Sequence, residues 1–294
     1  MTKIPSFLKK KLTTALKLVL TGLALYLVFR KIDTDQLWEI TKTIHWLWLV
    51  PAILFFMLSK LFTAFRLNLY FKNIQLYISE KLNIQLYLVG MFYNLFLPGG
   101  IGGDGYKIYL LNKHYNAPVK SLVQTSLLDR LGGLVAIVFL LLVLIIPVDL
   151  ALPFASQVPW ELLIGISALL VFPIFWLLQK LFFKPFLPSF WKANGWSMAG
   201  QVAQLCCAWF ILKGLGVTEN FLAYQLVFLL SSIVAVLPLT IGGVGARELV
   251  FVYAHTYAGI EEATAVAFSL IFFLISAAVS LLGSFISINF AENS

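Results

Sequence analysis

The length of the apolar runs constrains this chain more than any other feature. Eight blocks, over 12–29, 43–65, 82–98, 122–147, 161–178, 193–212, 221–238 and 264–290, carry few charges and no linker-like breaks. A helix needs about 20 apolar residues to cross the hydrocarbon core of a bilayer, and runs of this length exceed what a soluble core helix needs. Composition agrees: 61% of the 294 residues are hydrophobic and 12% charged, against about 45–50% and about 25% in soluble domains. A soluble globular enzyme, a disordered chain and a disulfide scaffold are excluded. An outer-membrane barrel is disfavoured, because its strands alternate polar and apolar residues. The two cysteines, Cys206 and Cys207, are neighbours inside an apolar block and read as small filler residues.

The expected fold is an all-α polytopic membrane protein forming one transmembrane domain over residues 1–294. It has about six full spans plus two re-entrant helical hairpins. The N-terminal block follows Lys9, Lys10 and Lys11 and ends at Phe29-Arg30-Lys31 without a small-residue cleavage site. It reads as an uncleaved first span. Lysine and arginine collect in the N-terminal tail and around Arg66–Lys81, Lys107–Lys120 and Lys180–Lys192. The loops near Asp149 and Glu261-Glu262 lack them. The net charge of +8 therefore reads as a positive-inside bias and contact with anionic headgroups, placing the N-terminus in the cytoplasm of a cell with an inner membrane. Nucleic acid is not expected as a partner.

An internal repeat is the informative motif. Residues 97–107 and 237–247 align without gaps as Leu-Pro-x-x-Ile-Gly-Gly-x-Gly-x-(Lys/Arg), with six identical positions and one matched charge. Apolar composition alone does not explain shared proline and glycines. Each copy follows an apolar block and precedes a short amphipathic piece and a long apolar block, giving repeat one over about 43–147 and repeat two over about 193–290. Three spans are expected between the copies, and an odd number inverts the second copy relative to the first. Inverted repeats with broken helices are an architecture of alternating-access transporters, with the site near the midplane.

The motif's chemistry follows from its residues. Proline ends the incoming helix, and the glycines permit a tight reversal. Irregular backbone is tolerated at membrane depth only where protein or a wet cavity surrounds it. The outgoing helix is expected to begin near Gly102, Gly103 and Gly105 in the first copy and Gly242, Gly243 and Gly245 in the second. Its free N–H groups attract anions, and Lys107 or Arg247 adds a full charge. The plainer alternative is that these glycines only let helices pack closely. Arg66, Asp129 and Arg130 are costly at membrane depth unless paired or wet, and Arg66 and Arg130 are candidates for the same cationic cavity. Snorkelling to the interface is the simpler account of Lys60 and Arg66. Asp104 is a candidate cap, Glu248 a candidate orienter of Arg247, and Asn94 a neutral hydrogen-bonding group. Asp129 and Arg130 diverge by about 100° on a helix, so they do not neutralise each other. No metal-ligand spacing, nucleotide motif or catalytic constellation is present, so neither enzymatic activity nor a cofactor is expected.

The chain resembles the lysylphosphatidylglycerol synthase transmembrane family, also described as a flippase-domain family. The residues that carry the resemblance are Asn94 to Asp104, Leu237 to Glu248, and the Asp129-Arg130 pair opening a long apolar helix. In larger relatives such a domain precedes a soluble aminoacyl-transferase domain and is taken to move the modified phospholipid between leaflets. Four residues follow Phe290, so a stand-alone member is expected, to which lysine transfer does not carry over. The first motif has Gly99-Gly100 where an arginine-rich form is common, leaving Lys107 as its nearest cation. The resemblance implies a translocator of an anionic-headgroup lipid: a phospholipid, glycolipid or isoprenoid phosphate. A separate lipid-modifying enzyme is a possible partner. The alternatives are a secondary transporter of a soluble anion and a scaffold presenting lipid to a separate transferase. Without a nucleotide motif, transport is downhill or ion-coupled, with Asp104, Asp129 and Glu248 as candidate proton carriers.

Overall fold

The computed structural model describes Lys42 and residues 44–96, 102–148, 159–236 and 246–290. The described residues are helical, with no strand among them. In chain order the helices are α1 (Leu49–Asn73), α2 (Glu80–Phe96), α3 (Gly102–Tyr115), α4 (Val119–Ile145), α5 (Trp160–Phe182), α6 (Phe190–Gly214), α7 (Phe221–Val236), α8 (Ala246–Ala258) and α9 (Glu262–Phe285). The expected first span over 12–29 lies outside the described residues, as do 97–101 and 237–245, the turns of both glycine motifs.

Four of these helices, α1 with the 3₁₀ turn before it, α4, α5 and α9, are long and apolar enough to cross a membrane. The protein is an all-α polytopic membrane protein. α9 is the most enclosed of the four and α5 the least. On α5 only Ala168, Phe175 and Gln179 are buried, while Leu162, Leu169, Leu181 and Phe182 stand outward. An apolar surface of this kind is stable where the surroundings are lipid. α6 is as long as α1 but carries polar Asn194, Ser197, Gln201 and Gln204. It lies antiparallel to α1. His45 N–H donates to the Gly214 carbonyl at one end, Gly200 faces the Ser59 carbonyl in the middle, and Asn73 Nδ2 donates to Ser189 Oγ at the other end.

The other four helices are shorter. α2, α3, α7 and α8 have 17, 14, 16 and 13 residues, or about 20–25 Å at 1.5 Å per residue, less than the ~30 Å hydrocarbon core. α2 and α7 end at positions 140 apart in the chain, and so do α4 and α9. The packing repeats as well: α2 packs on α3 and on α9, and α7 packs on α8 and on α4. The first short helix of each copy thus lies against the long helix of the other.

The connections sort to two ends. Ile74, Leu76, Ile78, Tyr115, Ala117, Ile288 and Phe290 share one apolar cluster with α2 and α3 residues. Ile44, Val148, Leu215, Val217 and Ile260 share another, and there Asn220 Nδ2 donates to the Gly259 carbonyl. α2 begins and α3 ends in the first group; α7 begins and α8 ends in the second. The tight α3–α4 reversal places Asn116 at φ 51°, a left-handed conformation asparagine tolerates better than most residues.

Two glycines bring backbones into direct contact. A Cβ on Gly103 would overlap the Gly90 carbonyl oxygen, and a Cβ on Gly283 would overlap that of Leu88. Close approach of this sort substitutes for hydrophobic driving force in a membrane, where packing supplies the attraction. Gly103→Ala is expected to destabilise the protein by about 1–3 kcal/mol, the usual cost of overpacking. Gly105→Ala meets nothing within 4 Å and is expected to be neutral or slightly stabilising. Thermal unfolding of both variants in detergent tests this; equal midpoints would refute the close approach.

Candidate functional site

Helices α1, α2, α3, α4, α6, α7 and α8 surround a polar cavity of about 340 Å³. Five basic side chains line it, Lys60, Arg66, Lys107, Arg130 and Arg247, with two carboxylates, Asp104 and Asp129. Among the described lining residues this leaves a formal excess of three positive charges. Asn94, Tyr87, Thr63, Ser197, Gln201, Gln204 and Ser232 supply neutral polar groups. The two halves of the chain, expected from the repeat to share a site, do bring Lys107 and Arg247 to one cavity.

The charges nearest repeat one are organised by carboxylates. Arg66 Nε lies 2.8 Å from Asp129 Oδ1, with side-chain exposures of 5% and 13%, and Arg66 Nη1 donates to Ser197 Oγ at 2.9 Å. Asp104 takes two cations: Lys107 Nζ at 2.8 Å on Oδ1 and Arg130 Nη2 at 2.6 Å on Oδ2. Asp129 and Arg130 therefore serve different partners, as their divergence on a helix predicts. Snorkelling does not describe Arg66, which is buried with its partner. Asp104 sits in the first turn of α3, and its carboxylate joins α3 to α4 through Arg130.

Glycines make room for these chains. Gly90 lets the Lys107 stem cross α2, since a Cβ there would stand 3.3 Å from Lys107 Cδ and Cε. Gly132 and Gly133 on α4 seat Arg66 in the same way: a Cβ on Gly133 would stand 3.5 Å from Nη1. Arg247 Nη1 donates to Ser232 Oγ at 3.3 Å, and its guanidinium lies over the rings of Phe272 and Phe228.

The other expected residues fall differently. Asn94 Oδ1 accepts the Gly103 N–H at 2.7 Å, so this N–H at the start of α3 is already engaged inside the protein. Gly103 is packed against Gly90, Gly105 is exposed, and neither they nor Gly102 line the cavity. Gly242, Gly243 and Gly245, and the side chain of Glu248, lie outside the described residues. No cluster of metal-ligating side chains occurs among the described residues.

Sequence reasoning missed Lys60 as a lining residue, and it read 193–212 as a span without seeing that α6 lines the cavity. A signal was present for α6: Asn194, Ser197, Gln201 and Gln204 recur at spacings of three and four, a polar stripe on one face of an otherwise apolar helix. The Gly132-Gly133 pair two residues after Arg130 was also readable as a seat for a long side chain.

A helical bundle whose apolar exterior encloses a cation-rich cavity is a polytopic membrane protein with a polar site in its interior. The chain belongs to the family described as the lysylphosphatidylglycerol synthase TM region, whose model matches residues 14–283. That family is a membrane domain related to lipid handling. No functionally curated protein matches the sequence.

Removing one member of a buried ion pair leaves the other uncompensated, at a cost of about 3–5 kcal/mol. Arg66→Met and Asp129→Leu are each therefore expected to lower stability by that amount. The double variant Arg66→Met/Asp129→Leu is expected to recover most of it. Chemical unfolding of the set as a double-mutant cycle measures the coupling; additive losses would show that the pair does not act as a unit.

Proposed function

We propose that the protein is a non-enzymatic lipid translocator that moves an anionic-headgroup lipid between the leaflets of the inner membrane. The cavity's positive excess at the centre of a bundle with an apolar exterior carries this reading. At about 340 Å³ it lies at the small end of the range for ligand sites, suited to a headgroup whose chains remain in the bilayer. Lys107, Arg247, Arg66 and Arg130 supply the positive potential that draws the headgroup in. Asp104 and Asp129 limit its cost by neutralising part of it.

The two short-helix pairs are read here as re-entrant hairpins in an inverted repeat. Support comes from their lengths, from the 140-residue register of their ends, and from their opening toward opposite ends of the bundle. The end holding the α1–α2, α3–α4 and α5–α6 connections carries Lys72, Lys81, Lys113, Lys120, Lys184 and Lys192. The positive-inside bias assigns that end to the cytoplasm, and the lysines of the N-terminal tail, Lys3, Lys9, Lys10 and Lys11, argue for a cytoplasmic N-terminus by the same bias.

Reconstitution of the protein alone in phosphatidylcholine vesicles bearing a fluorescent phosphatidylglycerol, with dithionite bleaching of the outer leaflet, tests the function. The wild type is expected to expose inner-leaflet probe. Arg247→Ala is expected to slow it by about tenfold or more, the loss of a charge-assisted contact, and Lys107→Ala to slow it while also lowering stability, because Asp104 loses one of its two partners. Probe exposure no faster than in protein-free vesicles sinks the translocator, and then uptake of a soluble anion or lipid presentation to a transferase becomes the better account.

A further inference from the structure

The neutral groups on the cavity wall have a pattern of their own. Thr63, Ser197 and Ser232 each donate the hydroxyl proton to a carbonyl of their own helix, those of Ser59, Ala193 and Phe228. With the proton committed there, these hydroxyls can only accept. Ser197 accepts from Arg66 and Ser232 from Arg247, and Asn94 Oδ1 accepts the Gly103 N–H. Gln201 on α6 differs from all of them. It is more than nine-tenths buried, lines the cavity, and its amide oxygen has no hydrogen-bond partner. A buried polar atom left unpaired is destabilising, and most such atoms in proteins are paired. The helix seam fixes where this one stands. A Cβ on Gly200, the preceding residue, would lie 3.5 Å from the Ser59 carbonyl oxygen and from Thr63 Oγ1 of α1.

The cavity therefore offers a guest two kinds of partner. Its basic side chains attract an oxyanion. Gln201 offers a primary amide, with one acceptor and two donors on adjacent atoms, and a hydroxyl can meet either. An ammonium is unsuited to the same place. Lys60, next to Ser59 on α1, also lines the cavity, with Nζ 4.6 Å from the centroid of Phe56. A ring holds a cation without neutralising its charge. Among the described lining residues both carboxylates, Asp104 and Asp129, already hold cations. A cationic headgroup arriving beside Gln201 thus meets like charge.

We propose that Gln201 is a specificity-determining residue of the cavity, and that its amide selects a guest carrying uncharged hydroxyls beside its anionic group, as glycerol and sugar phosphate esters do. The proposal rests on the reading of the cavity as a headgroup site and narrows the guest to a hydroxylated phosphate ester. A guest without hydroxyls leaves the amide unpaired in the occupied site, which is how a polar site rejects an analogue that lacks a hydroxyl.

Binding separates this selectivity from transport. The full chain in detergent is titrated with dioctanoyl lipids while the thermal midpoint is followed. Phosphatidylglycerol is compared with phosphatidylpropanol, which has the same charge and lacks the headgroup hydroxyls, and with phosphatidylethanolamine, which has an ammonium in their place. Glycerol phosphate and propyl phosphate repeat the first comparison without chains. The wild type is expected to bind phosphatidylglycerol about fivefold more tightly than phosphatidylpropanol, the effect of one hydrogen bond, and phosphatidylethanolamine more weakly than either. Gln201→Met keeps the length of the side chain and removes the amide. It is expected to bind phosphatidylpropanol as the wild type does and to lose the preference, with a ligand-free midpoint at or above the wild-type value. A preference retained in Gln201→Met, or equal binding of phosphatidylglycerol and phosphatidylpropanol by the wild type, overturns the proposal. If Gln201→Met does not fold, the wild-type comparison decides alone. A preference seen only with the chain-free pair supports the role of Gln201 and assigns the site to a soluble ester. No response to any of these ligands overturns the headgroup reading and the proposal together. Hydroxyl preference without lipid flux in vesicles removes the translocator and leaves the selectivity.

Discussion

The pairing of Arg66 with Asp129, and of Asp104 with Lys107 and Arg130, is the constraint on which the interior depends. Ionised groups inside a bilayer are costly unless each finds a partner or water. Five cations within one bundle would repel one another and the fold alike. The two carboxylates tie α1 to α4 and α3 to α4, so the charges that would separate the helices instead join them. What is left is a positive excess that the protein tolerates because rings and hydroxyls support it, and that an anionic guest would relieve.

The amino-acid sequence makes the coarse architecture plain. Apolar runs beyond the length of a soluble core helix leave only a helical membrane bundle, and the repeated Leu-Pro-x-x-Ile-Gly-Gly motif marks where α2 and α7 stop. It also singles out Lys107 and Arg247, because a matched charge at one offset in two copies is hard to explain by composition. It is less informative about side chains whose role depends on what crosses them from another helix. Lys60 and Arg66 look alike at the end of an apolar run, yet one meets Phe56 and the other Asp129. Gly103 reads as a candidate anion donor until α2 is seen pressed against it and Asn94 is seen taking its N–H. Periodicity reports which face of a helix is unlike the rest, as on α6; it does not report what that face will meet.

The two halves share a plan and differ in chemistry. Lys107 and Arg247 occupy matching positions, and the aligned partners of Asp104, Asp129 and Arg130 are Val244, Ser269 and Leu270. Asp104 and Asp129 pair with Arg66, Lys107 and Arg130, while Arg247 lies over Phe228 and Phe272 and donates to Ser232.

The contact between Gly283 and the Leu88 carbonyl links the last long helix to the first short one with no side chain interposed. A joint of that kind has almost no slack, because sliding either partner drives backbone into backbone. The crossing of α2 and α9 is therefore a fixed point of the bundle, set by backbone and not by adjustable side chains.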